Sequence, residues 1–543
     1  MNWKWIQQAN WRLSPLQFTI VLLLILGVWF RFANLDGKVC WGDEIISSFR
    51  MAGYTQEEVD RQLFNGEIHS PAYFQHFQHL TPERNLSDTL HSLVVEAPEH
   101  APLYFTIGRF WQQLFGDSLF VRRSLPVLIN LLAIPAIYWL SYLLFASHRA
   151  AGIAAGLLAI SPFQILYAQE VRQYSLWTLT ILFSSAALLS AMTRKTKVSW
   201  AIYAFSLAIG FYTFMFSALV AGAQGIYLIY TEGLRLTQTV KQYLLALVAG
   251  LLMFLPWGLV ILINFRDIQS GMEWTGKKAD NMYVIRFWIL NLVSNFVEFR
   301  DGEDPFTFRM DLDRPLTYYI IFILALVGYA IYWLCQQKRI WTFVLMLMGG
   351  TVLPLLLPDI IFGGQRTSIG RYLIPCYLSI QLAVAYLFAS KIADRSRITR
   401  QFWQLVMAIV IASGVTSGVL ISHSHSAWTK YADYYNDRIA AIVNQAPSPL
   451  LIGDVTLNTT QSRLMSLSYL LKPEARIQGF LPENLHQFDG RGFSDIFLLT
   501  VRRQEPLPAI LMQQGNYHVE LLHLWDMSYK KRKIRLWKVT RIG

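Results

Sequence analysis

Four short polar segments carry the residue types that can do chemistry in this chain, which otherwise contains many long apolar runs. In the first segment, residues 41–55, Asp43 and Glu44 stand side by side ahead of an amphipathic stretch. Such a pair suits a helix N-terminus, where carboxylates interact favourably with the helix dipole. It also suits a general base whose acidic neighbour tunes its pKa or binds a metal ion.

Two further segments add titratable groups. The segment at 96–105 contains Glu99 and His100. The segment at 161–175 contains Tyr167, Glu170, Arg172 and Tyr174. The segment at 161–175 is a short turn between apolar runs, so it can line a cavity but cannot hold a soluble site by itself. A structural Glu–Arg ion pair is the alternative interpretation there, and a surface histidine is the alternative for His100.

The fourth segment, residues 363–375, is a glycine-containing turn whose only charges are Arg366 and Arg371, with Tyr372 following. Two guanidinium groups at a membrane face can bind a phosphate or pyrophosphate bidentately. Snorkelling toward lipid headgroups is the alternative. Together the four segments predict transfer of a group from a lipid-linked phosphate to a nucleophile. A carboxylate would take the acceptor's proton, and the arginines would stabilise the leaving phosphate.

The composition indicates that a membrane surrounds these segments. Of 543 residues, 54% are hydrophobic and only 15% are charged, whereas soluble domains carry about 25% charged residues. The net charge of +12 comes from basic residues between the apolar runs rather than along one stripe, which argues against a nucleic-acid partner. Three scattered cysteines are too few for a disulfide framework or a metal cluster.

Ten apolar runs predict the membrane spans, since a bilayer needs about 20 apolar residues per helix. They are residues 15–32, 125–145, 150–168, 175–192, 200–230, 243–264, 316–335, 340–360, 372–390 and 402–422. The first run lacks a small-residue cleavage site after it and predicts a retained span rather than a signal peptide. The run at 200–230 is too long for one crossing and predicts two short spans meeting near Ser217, which gives eleven crossings.

Basic residues between the runs predict the orientation. With the N-terminus in the cytoplasm, twelve arginines and lysines lie in inner connections: Arg149, Arg194, Lys195, Lys197, Arg235, Lys241, Lys338, Arg339, Lys391, Arg395, Arg397 and Arg400. The short outer turns hold three: Arg172, Arg366 and Arg371. This asymmetry follows the positive-inside rule.

Three large segments are therefore expected outside the membrane: residues 34–124, 266–314 and 423–543. Within the first, residues 101–115 are apolar but short for a span, which favours an interfacial or re-entrant helix. The tail changes character and predicts a small α/β domain. Its expected strands are 449–454, 495–501 and a pair within 517–539, and its expected helices are 431–445 and 461–471. The predicted domains are thus 1–422 in the membrane and 423–543 outside it.

The order of several motifs resembles a known family. The acidic pair in the first outer loop is followed by H-x-P-L-Y, L-F-G-x-S, R-x-L-P, SP…YAQEVRQYSL and GRYLIP, at residues 100–104, 114–118, 123–126, 161–176 and 370–375. This pattern resembles the GT-C glycosyltransferases of the protein-mannosyltransferase and lipid A aminoarabinose-transferase type. The likeness covers residues 15–190 well and 360–390 loosely. One departure is Ala101, where the family carries a proline.

The resemblance implies an all-α polytopic membrane domain of GT-C type, with about eleven spans plus interfacial helices, and a small C-terminal α/β domain outside the membrane. It implies an inverting enzyme that moves a sugar from a polyprenyl-phosphate donor to a lipid, glycan or protein acceptor on the outer face. In this picture Asp43 is the general base and Glu44 its neighbour. The expected phosphate-binding residues are His100, Arg172, Arg366 and Arg371. The expected substrate-pocket residues are Glu99, Tyr167, Glu170, Tyr174 and Tyr372.

Two alternatives stay open at this point. One is a transporter or flippase of lipid-linked glycans, which span interiors nearly free of charge disfavour. The other is an oligosaccharide ligase or polymerase, which shares the carrier chemistry. No cofactor is certain, although Asp43, Glu44 and His100 leave a divalent metal ion possible. The expected location is a bacterial inner membrane, with the N-terminus cytoplasmic and the tail periplasmic.

Overall fold

The structure is a computed structural model that describes residues 13–298, 314–336, 340–456, 458–480, 490–501, 506–513, 516–527 and 532–542. Its helices in the N-terminal part are α1 (Pro15–Phe32), α2 (Gly42–Ala52), α3 (Gln56–Leu63), α4 (Pro71–His76), α5 (Leu86–Glu96), α6 (Leu103–Phe115), α7 (Leu119–Phe145), α8 (His148–Ala159), α9 (Pro162–Ala168), α10 (Tyr174–Arg194), α11 (Lys197–Thr213) and α12 (Ser217–Glu232). The helices that follow are α13 (Gln238–Ile263), α14 (Phe265–Gly276), α15 (Asn281–Val293), α16 (Pro315–Cys335), α17 (Ile340–Phe362), α18 (Ile374–Lys391), α19 (Arg397–His423), α20 (Asn436–Val443), α21 (Asn458–Leu467) and α22 (Pro506–Gln513).

Among the described residues, eight helices are long and apolar enough to cross a membrane: α1, α7, α10, α13, α16, α17, α18 and α19. The pair α8 and α9, bent by 56°, supplies a ninth if the pair is one span. The predicted break in the run 200–230 is present, because α11 ends at Thr213 and α12 begins at Ser217. Each of the eleven predicted spans thus has a helical counterpart, and the count of eleven crossings itself stays a prediction.

Local signals explain where the first span begins and how closely it packs. Ser14 caps α1 through a capping box with Gln17, and Pro15 occupies the first helical position. Further along, α1 crosses α8 at Gly27. A Cβ there would lie 2.6 Å from the carbonyl oxygen of Ala159, so only glycine allows this approach. The close crossing holds the C-terminal end of α1 beside the turn that follows α9.

Helix α6 is the apolar segment that the sequence predicts to be interfacial or re-entrant. Its 13 residues extend about 20 Å, which is short for a span. One side is buried through Tyr104, Phe105 and Arg109, while Phe110 and Leu114 are exposed. This amphipathic arrangement is typical of a helix lying along a membrane surface.

The tail contains the small sheet that its composition predicts. The strands are β1 (Ile68–His69), β2 (Pro449–Asp454), β3 (Arg476–Phe480), β4 (Asp495–Thr500), β5 (Tyr517–Met527) and β6 (Arg532–Arg541), in the order β1-β3-β2-β4-β6-β5. Strands β3, β2 and β4 are parallel, and the remaining pairs are antiparallel. Strand β1 comes from the first outer loop, not from the tail.

Residues 34–124, the predicted first outer loop, and the tail also share one hydrophobic core. Ile45, Phe49 and Phe74 from the loop belong to the same buried cluster as Leu451 and Leu464 from the tail. A separate and larger cluster fills the space between the membrane helices. The predicted domain boundary between residues 422 and 423 stays a prediction. Residues of the segment 34–124 pack against the tail that follows this boundary.

Candidate active site

The N-terminus of α2 separates its two adjacent carboxylates. Glu44 is fully buried. Its Oε1 and Oε2 accept hydrogen bonds of 2.8 and 2.9 Å from Arg123, and Oε2 accepts one of 2.8 Å from Lys430 Nζ. The backbone N–H of Val171 also donates to Oε1, at 3.1 Å. Glu44 therefore ties α2 to α7, to the turn after α9 and to the start of the tail.

The charge of Glu44 is stabilised despite its burial. Desolvation raises the pKa of this carboxyl, but Arg123 and Lys430 outweigh it through charge and hydrogen bonds and hold the pKa at about 2. Arg123 further donates to the carbonyl oxygens of Leu35, Lys38 and Val39. Glu44 and Arg123 thus fix the loop that precedes α2.

Asp43 points into a different environment. Its side chain is 27% exposed, and Oδ2 lies 3.6 Å from Arg172 Nη2 and 3.7 Å from Arg371 Nη2. Within the described part of the chain, Oδ2 accepts no hydrogen bond. Arg172 Nη1 donates to Ser47 Oγ at 3.0 Å, one helical turn further along α2. The structure therefore brings three predicted site residues, from three distant segments, to one point.

Aromatic rings surround the two arginines. The Arg371 guanidinium lies 5.6 Å from the Tyr174 ring, 5.8 Å from Tyr372 and 6.0 Å from Trp41. Arg172 lies 5.8 Å from the same Tyr174 ring. The Tyr167 ring packs edge-on against Tyr174, with their centres 5.6 Å apart. These faces attract cations, so they hold both guanidinium groups beside Asp43 without neutralising them.

His100 and Glu99 border the same charges. His100 Nε2 lies 3.8 Å from Glu99 Oε1. Burial, together with the charges of Arg172, Arg50 and Arg371, holds the pKa of His100 well below its usual value, so this ring is neutral at pH 7. Burial raises the pKa of Glu99. His100 can therefore offer a ligand a hydrogen bond but no positive charge.

Glu170 and Arg366 occupy different surroundings. Glu170 is fully buried, and burial raises its pKa to about 7 although the nearby Lys430 charge opposes the shift. Arg366 Nη1 pairs with Asp359 Oδ1 at 2.9 Å, and Asp359 Oδ2 also accepts from Thr367. Arg366 thus has a carboxylate partner, Asp359, from α17. The ion pairs of Asp43 among the described residues are with Arg172 and Arg371.

Two cavities adjoin these groups, and a third lies farther along the chain's packed helices. A small one of about 40 Å³ lies between Arg371 and aromatic side chains that include Tyr167, Trp274, Trp428 and Tyr431. A more open one of about 660 Å³ is largely apolar, and its lining includes Met215, Phe216, Phe265, Ile268, Met272 and Arg366. The Phe216 ring touches Tyr372, with centres 5.0 Å apart, so the apolar cavity borders the Arg371 side of the site. A third, of about 300 Å³, lies at the end of α19 beside Lys38.

The metal hypothesis meets a specific obstacle at Glu44. Both of its carboxylate oxygens already accept hydrogen bonds from Arg123 and Lys430. Throughout the described ranges, no three His, Cys, Asp or Glu side chains lie together as a metal-binding group. No cofactor is established for the protein, and dependence on a divalent ion stays open to measurement.

Sequence reasoning missed Arg123, Lys430 and Arg50 as parts of this site. Arg123 belongs to the R-x-L-P motif, and Lys430 lies near the start of the tail. Neither position carries a local sequence signal that predicts a pairing with Glu44. Arg50 did carry a signal. It lies seven residues after Asp43, and Ser47 lies between them, so all three share one helix face.

Comparisons with known proteins show what this chain resembles in sequence and fold. Residues 99–259 match the family described as dolichyl-phosphate-mannose-protein mannosyltransferase. Over 296 residues, the chain is 24% identical to the undecaprenyl phosphate-alpha-4-amino-4-deoxy-L-arabinose arabinosyl transferase of Pectobacterium atrosepticum, covering 52% of this chain and 48% of that protein. The transferase of the same description from Yersinia pestis is 23% identical over 286 residues, covering 50% and 46%. The chain spans about half the length of the curated relatives it matches.

Two solved structures share the fold over most of the chain. ArnT from Cupriavidus metallidurans, crystallised with undecaprenyl phosphate, superposes with a TM-score of 0.51 at 14% identity, over 95% of this chain and 97% of that one. The oligosaccharyltransferase of Archaeoglobus fulgidus gives 0.50 at 12% identity, over 92% and 70%. The chain therefore has a GT-C fold, as predicted. Its predicted resemblance to the protein-mannosyltransferase and aminoarabinose-transferase group is confirmed.

Proposed function

We propose that this protein is an inverting glycosyltransferase that takes a sugar from a polyprenyl-phosphate donor at the outer face of a bacterial inner membrane. The observation that carries the proposal is Asp43 held between Arg172 and Arg371 at 3.6 and 3.7 Å. A carboxylate flanked by two guanidinium groups places a base beside cations suited to a phosphate. The donors and phosphate ligands named for the similar proteins support this choice.

The proposed reaction is a single displacement at the anomeric carbon. An acceptor hydroxyl attacks this carbon while Asp43 takes the hydroxyl proton. The new C–O bond forms as the bond to the phosphate oxygen breaks, and the electron pair leaves with the polyprenyl phosphate. Arg172 and Arg371 stabilise the negative charge that develops on this leaving group. Attack opposite to the leaving group inverts the configuration of the sugar.

Other residues support this chemistry without sharing it. Glu44 is a positioning residue, because its hydrogen bonds to Arg123 and Lys430 fix the helix that carries Asp43. The neutral His100 supplies a hydrogen-bonding group at the edge of the site, and Tyr167, Tyr174 and Tyr372 form its aromatic wall. Arg366 acts outside the reacting centre, since Asp359 already pairs with it.

The apolar cavity beside Phe216 suits the first isoprene units of the donor. Its lining is mostly apolar, and it reaches the Arg371 side of the site through the contact between Phe216 and Tyr372. A lipid chain there gains burial of apolar surface, while its phosphate stays near the arginines. The acceptor, whether lipid, glycan or protein, would approach from the aqueous side, which the tail partly covers.

The direct test is incubation of the purified protein with a panel of radiolabelled polyprenyl-phosphate sugars and candidate acceptors. We expect release of free polyprenyl phosphate together with a glycosylated acceptor for at least one donor, with Asp43→Asn as the inactive control. Transfer of a preassembled oligosaccharide alone would identify a ligase or polymerase. Movement of intact donor across a vesicle membrane without phosphate release would identify a flippase and contradict the proposal.

The proposed orientation places the N-terminus in the cytoplasm and residues 423–543 in the periplasm. It follows from the excess of basic residues in the connections expected inside. Reporter fusions that are active only in the periplasm test it. A fusion after residue 543 should be active, and one at Lys195 should be silent. The reverse result would place the reaction on the cytoplasmic face.

A further inference from the structure

Helix α2 carries a third functional group on the same face as Asp43. Asp43, Ser47 and Arg50 follow each other at intervals of four and three residues, which aligns them along one side of a helix. Their side chains thus extend over two helical turns, and the Cα atoms of Asp43 and Arg50 are about 10 Å apart. Arg172 spans the first of these two turns, because its Nη2 lies near Asp43 and its Nη1 donates to Ser47.

Arg50 is buried without a hydrogen-bonded counterion. Its side chain is only 8% exposed, and the ion pair found for it is with Glu96, where Nη2 and Oε2 are 3.9 Å apart. That distance is too long for a hydrogen bond. The Glu96 oxygens instead accept from the backbone N–H groups of Gln56 and Glu57, at 2.6 and 3.1 Å. Within the described residues, Nε and Nη1 of Arg50 have no hydrogen-bond partner.

A buried guanidinium in this state is costly to the folded protein. Taking a charge out of water without hydrogen bonds is unfavourable, and an anionic ligand would supply what the chain does not. Burial lowers the pKa of Arg50 only to about 10, so the group stays charged at neutral pH. The nearby carboxylates of Glu99 and Glu96 favour the charged guanidinium, but neither accepts a hydrogen bond from Nε or Nη1 of Arg50 among the described residues. An anion bound beside Arg50 would provide the hydrogen-bond acceptors that Nε and Nη1 lack among the described residues.

We propose that Arg50, together with Arg172, binds the phosphate of the polyprenyl-phosphate donor. This inference rests on the proposed function and adds a further arginine to its phosphate site. A phosphate between the Arg50 and Arg172 guanidinium groups would supply acceptors for Nε and Nη1 of Arg50, which have none among the described residues.

The test measures binding of polyprenyl phosphate itself to the purified full-length protein. We expect Arg50→Gln to weaken this binding by about 10- to 100-fold, since it removes charge-assisted hydrogen bonds. Binding of the uncharged polyprenol should be unchanged. Arg50→Lys should fall between, because a lysine keeps the charge but not the forked donor geometry. Arg61→Gln, which alters an exposed arginine on α3, is the matched control.

A structural ion pair with Glu96 would give a different result. In that case Arg50→Gln and Glu96→Gln would lower the melting temperature by similar amounts and leave the affinity for polyprenyl phosphate unchanged, which would overturn the inference. If Arg50→Gln does not fold, Arg50→Lys decides by the same measurement. Wild-type protein that binds no polyprenyl phosphate contradicts the proposed function itself, whereas normal wild-type binding that Arg50 substitutions leave intact contradicts only this role of Arg50.

Discussion

The two faces of α2 differ in how their charges are satisfied. On one face, Glu44 is buried and accepts hydrogen bonds from Arg123, Lys430 and a backbone N–H. On the other face, Asp43 meets two arginines at ion-pair distance without a hydrogen bond to Oδ2, and Arg50 is buried with unpaired nitrogen atoms among the described residues. Glu44 thus belongs to a hydrogen-bond network whose members are satisfied, whereas its neighbour Asp43 belongs to one that is incomplete among the described residues.

We interpret this difference as a division of roles, in which the charges on the Glu44 face stabilise the fold and those on the Asp43 face serve the proposed reaction. Networks whose members are all satisfied stabilise one conformation, whereas buried polar groups left unsatisfied cost stability unless a ligand completes them. The Glu44 face therefore holds the helix in place, and we propose that the Asp43 face binds the anionic donor. Substitutions on the two faces should consequently affect different properties of the protein.

The largest effect is expected for Glu44→Gln. The substitution leaves Arg123 and Lys430 buried without a full counterion, which costs about 3–5 kcal/mol of folding free energy. We expect a large fall in melting temperature and in the yield of detergent-purified protein. Glu57→Gln is the control, because Glu57 pairs with Arg61 on the exposed surface of α3. A melting temperature for Glu44→Gln equal to that of the control would refute the positioning role.

Asp43→Asn should abolish transfer with little effect on folding. Loss of a general base lowers turnover by about 10²- to 10⁴-fold, while the carboxylate oxygen Oδ2 gives up no hydrogen bond. Turnover and thermal unfolding are measured on the same preparation. Near-normal turnover would remove Asp43 from the proposed mechanism, and it would also end the functional distinction between the two faces.

Arg371→Ala should impair use of the donor more than use of the acceptor. Losing one of the groups that stabilise the leaving phosphate is expected to reduce kcat/KM for the donor by about 10- to 1,000-fold. Arg366→Ala is the matched arginine substitution, and we expect a smaller loss because Arg366 pairs with Asp359. Kinetics that vary each substrate separately provide the measurement. An equal or larger loss for Arg366→Ala would return Arg366 to the phosphate site.

The smallest effect is a pH dependence of stability from Glu170. Its folded-state pKa of about 7 lies above the ordinary value of 4.5, so the folded protein holds this proton more tightly than the unfolded chain. The stabilisation is full below about pH 4.5 and is lost as the pH rises through 7. Glu170→Gln should therefore raise the melting temperature relative to wild type at pH 8 and change it little at pH 5. An equal shift at both pH values would contradict the buried, protonated state.

Sequence patterns predicted the positions of the membrane helices, the break near Ser217 and the strand at 449–454. Hydrophobic runs and their interruptions decide these features locally. The meeting of Asp43, Arg172 and Arg371 also followed from a predicted orientation that put all three on one side of the membrane. Such reasoning predicts the depth of each residue along the membrane normal, and it therefore predicts which functional groups lie at the same membrane face.

The different surroundings of Asp43 and Glu44 could not be predicted in the same way. They depend on Lys430, which lies 386 residues from Glu44 in the sequence, and on which side chains face each side of α2. Asp359 similarly lies near the end of an apolar run, and nothing local marks it as the partner of Arg366. Side-chain pairing across distant segments is a property of the packed fold, and a single sequence records it only indirectly.

The central claim is that the Asp43 face of α2 is a transfer site for a polyprenyl-phosphate donor. An experimental structure of the Asp43→Asn protein with bound polyprenyl phosphate tests it most directly. We predict that the phosphate lies within hydrogen-bonding distance of the Arg172 guanidinium and that the lipid runs toward Phe216. A phosphate bound elsewhere, such as in the cavity beside Lys38 at the end of α19, would contradict the claim.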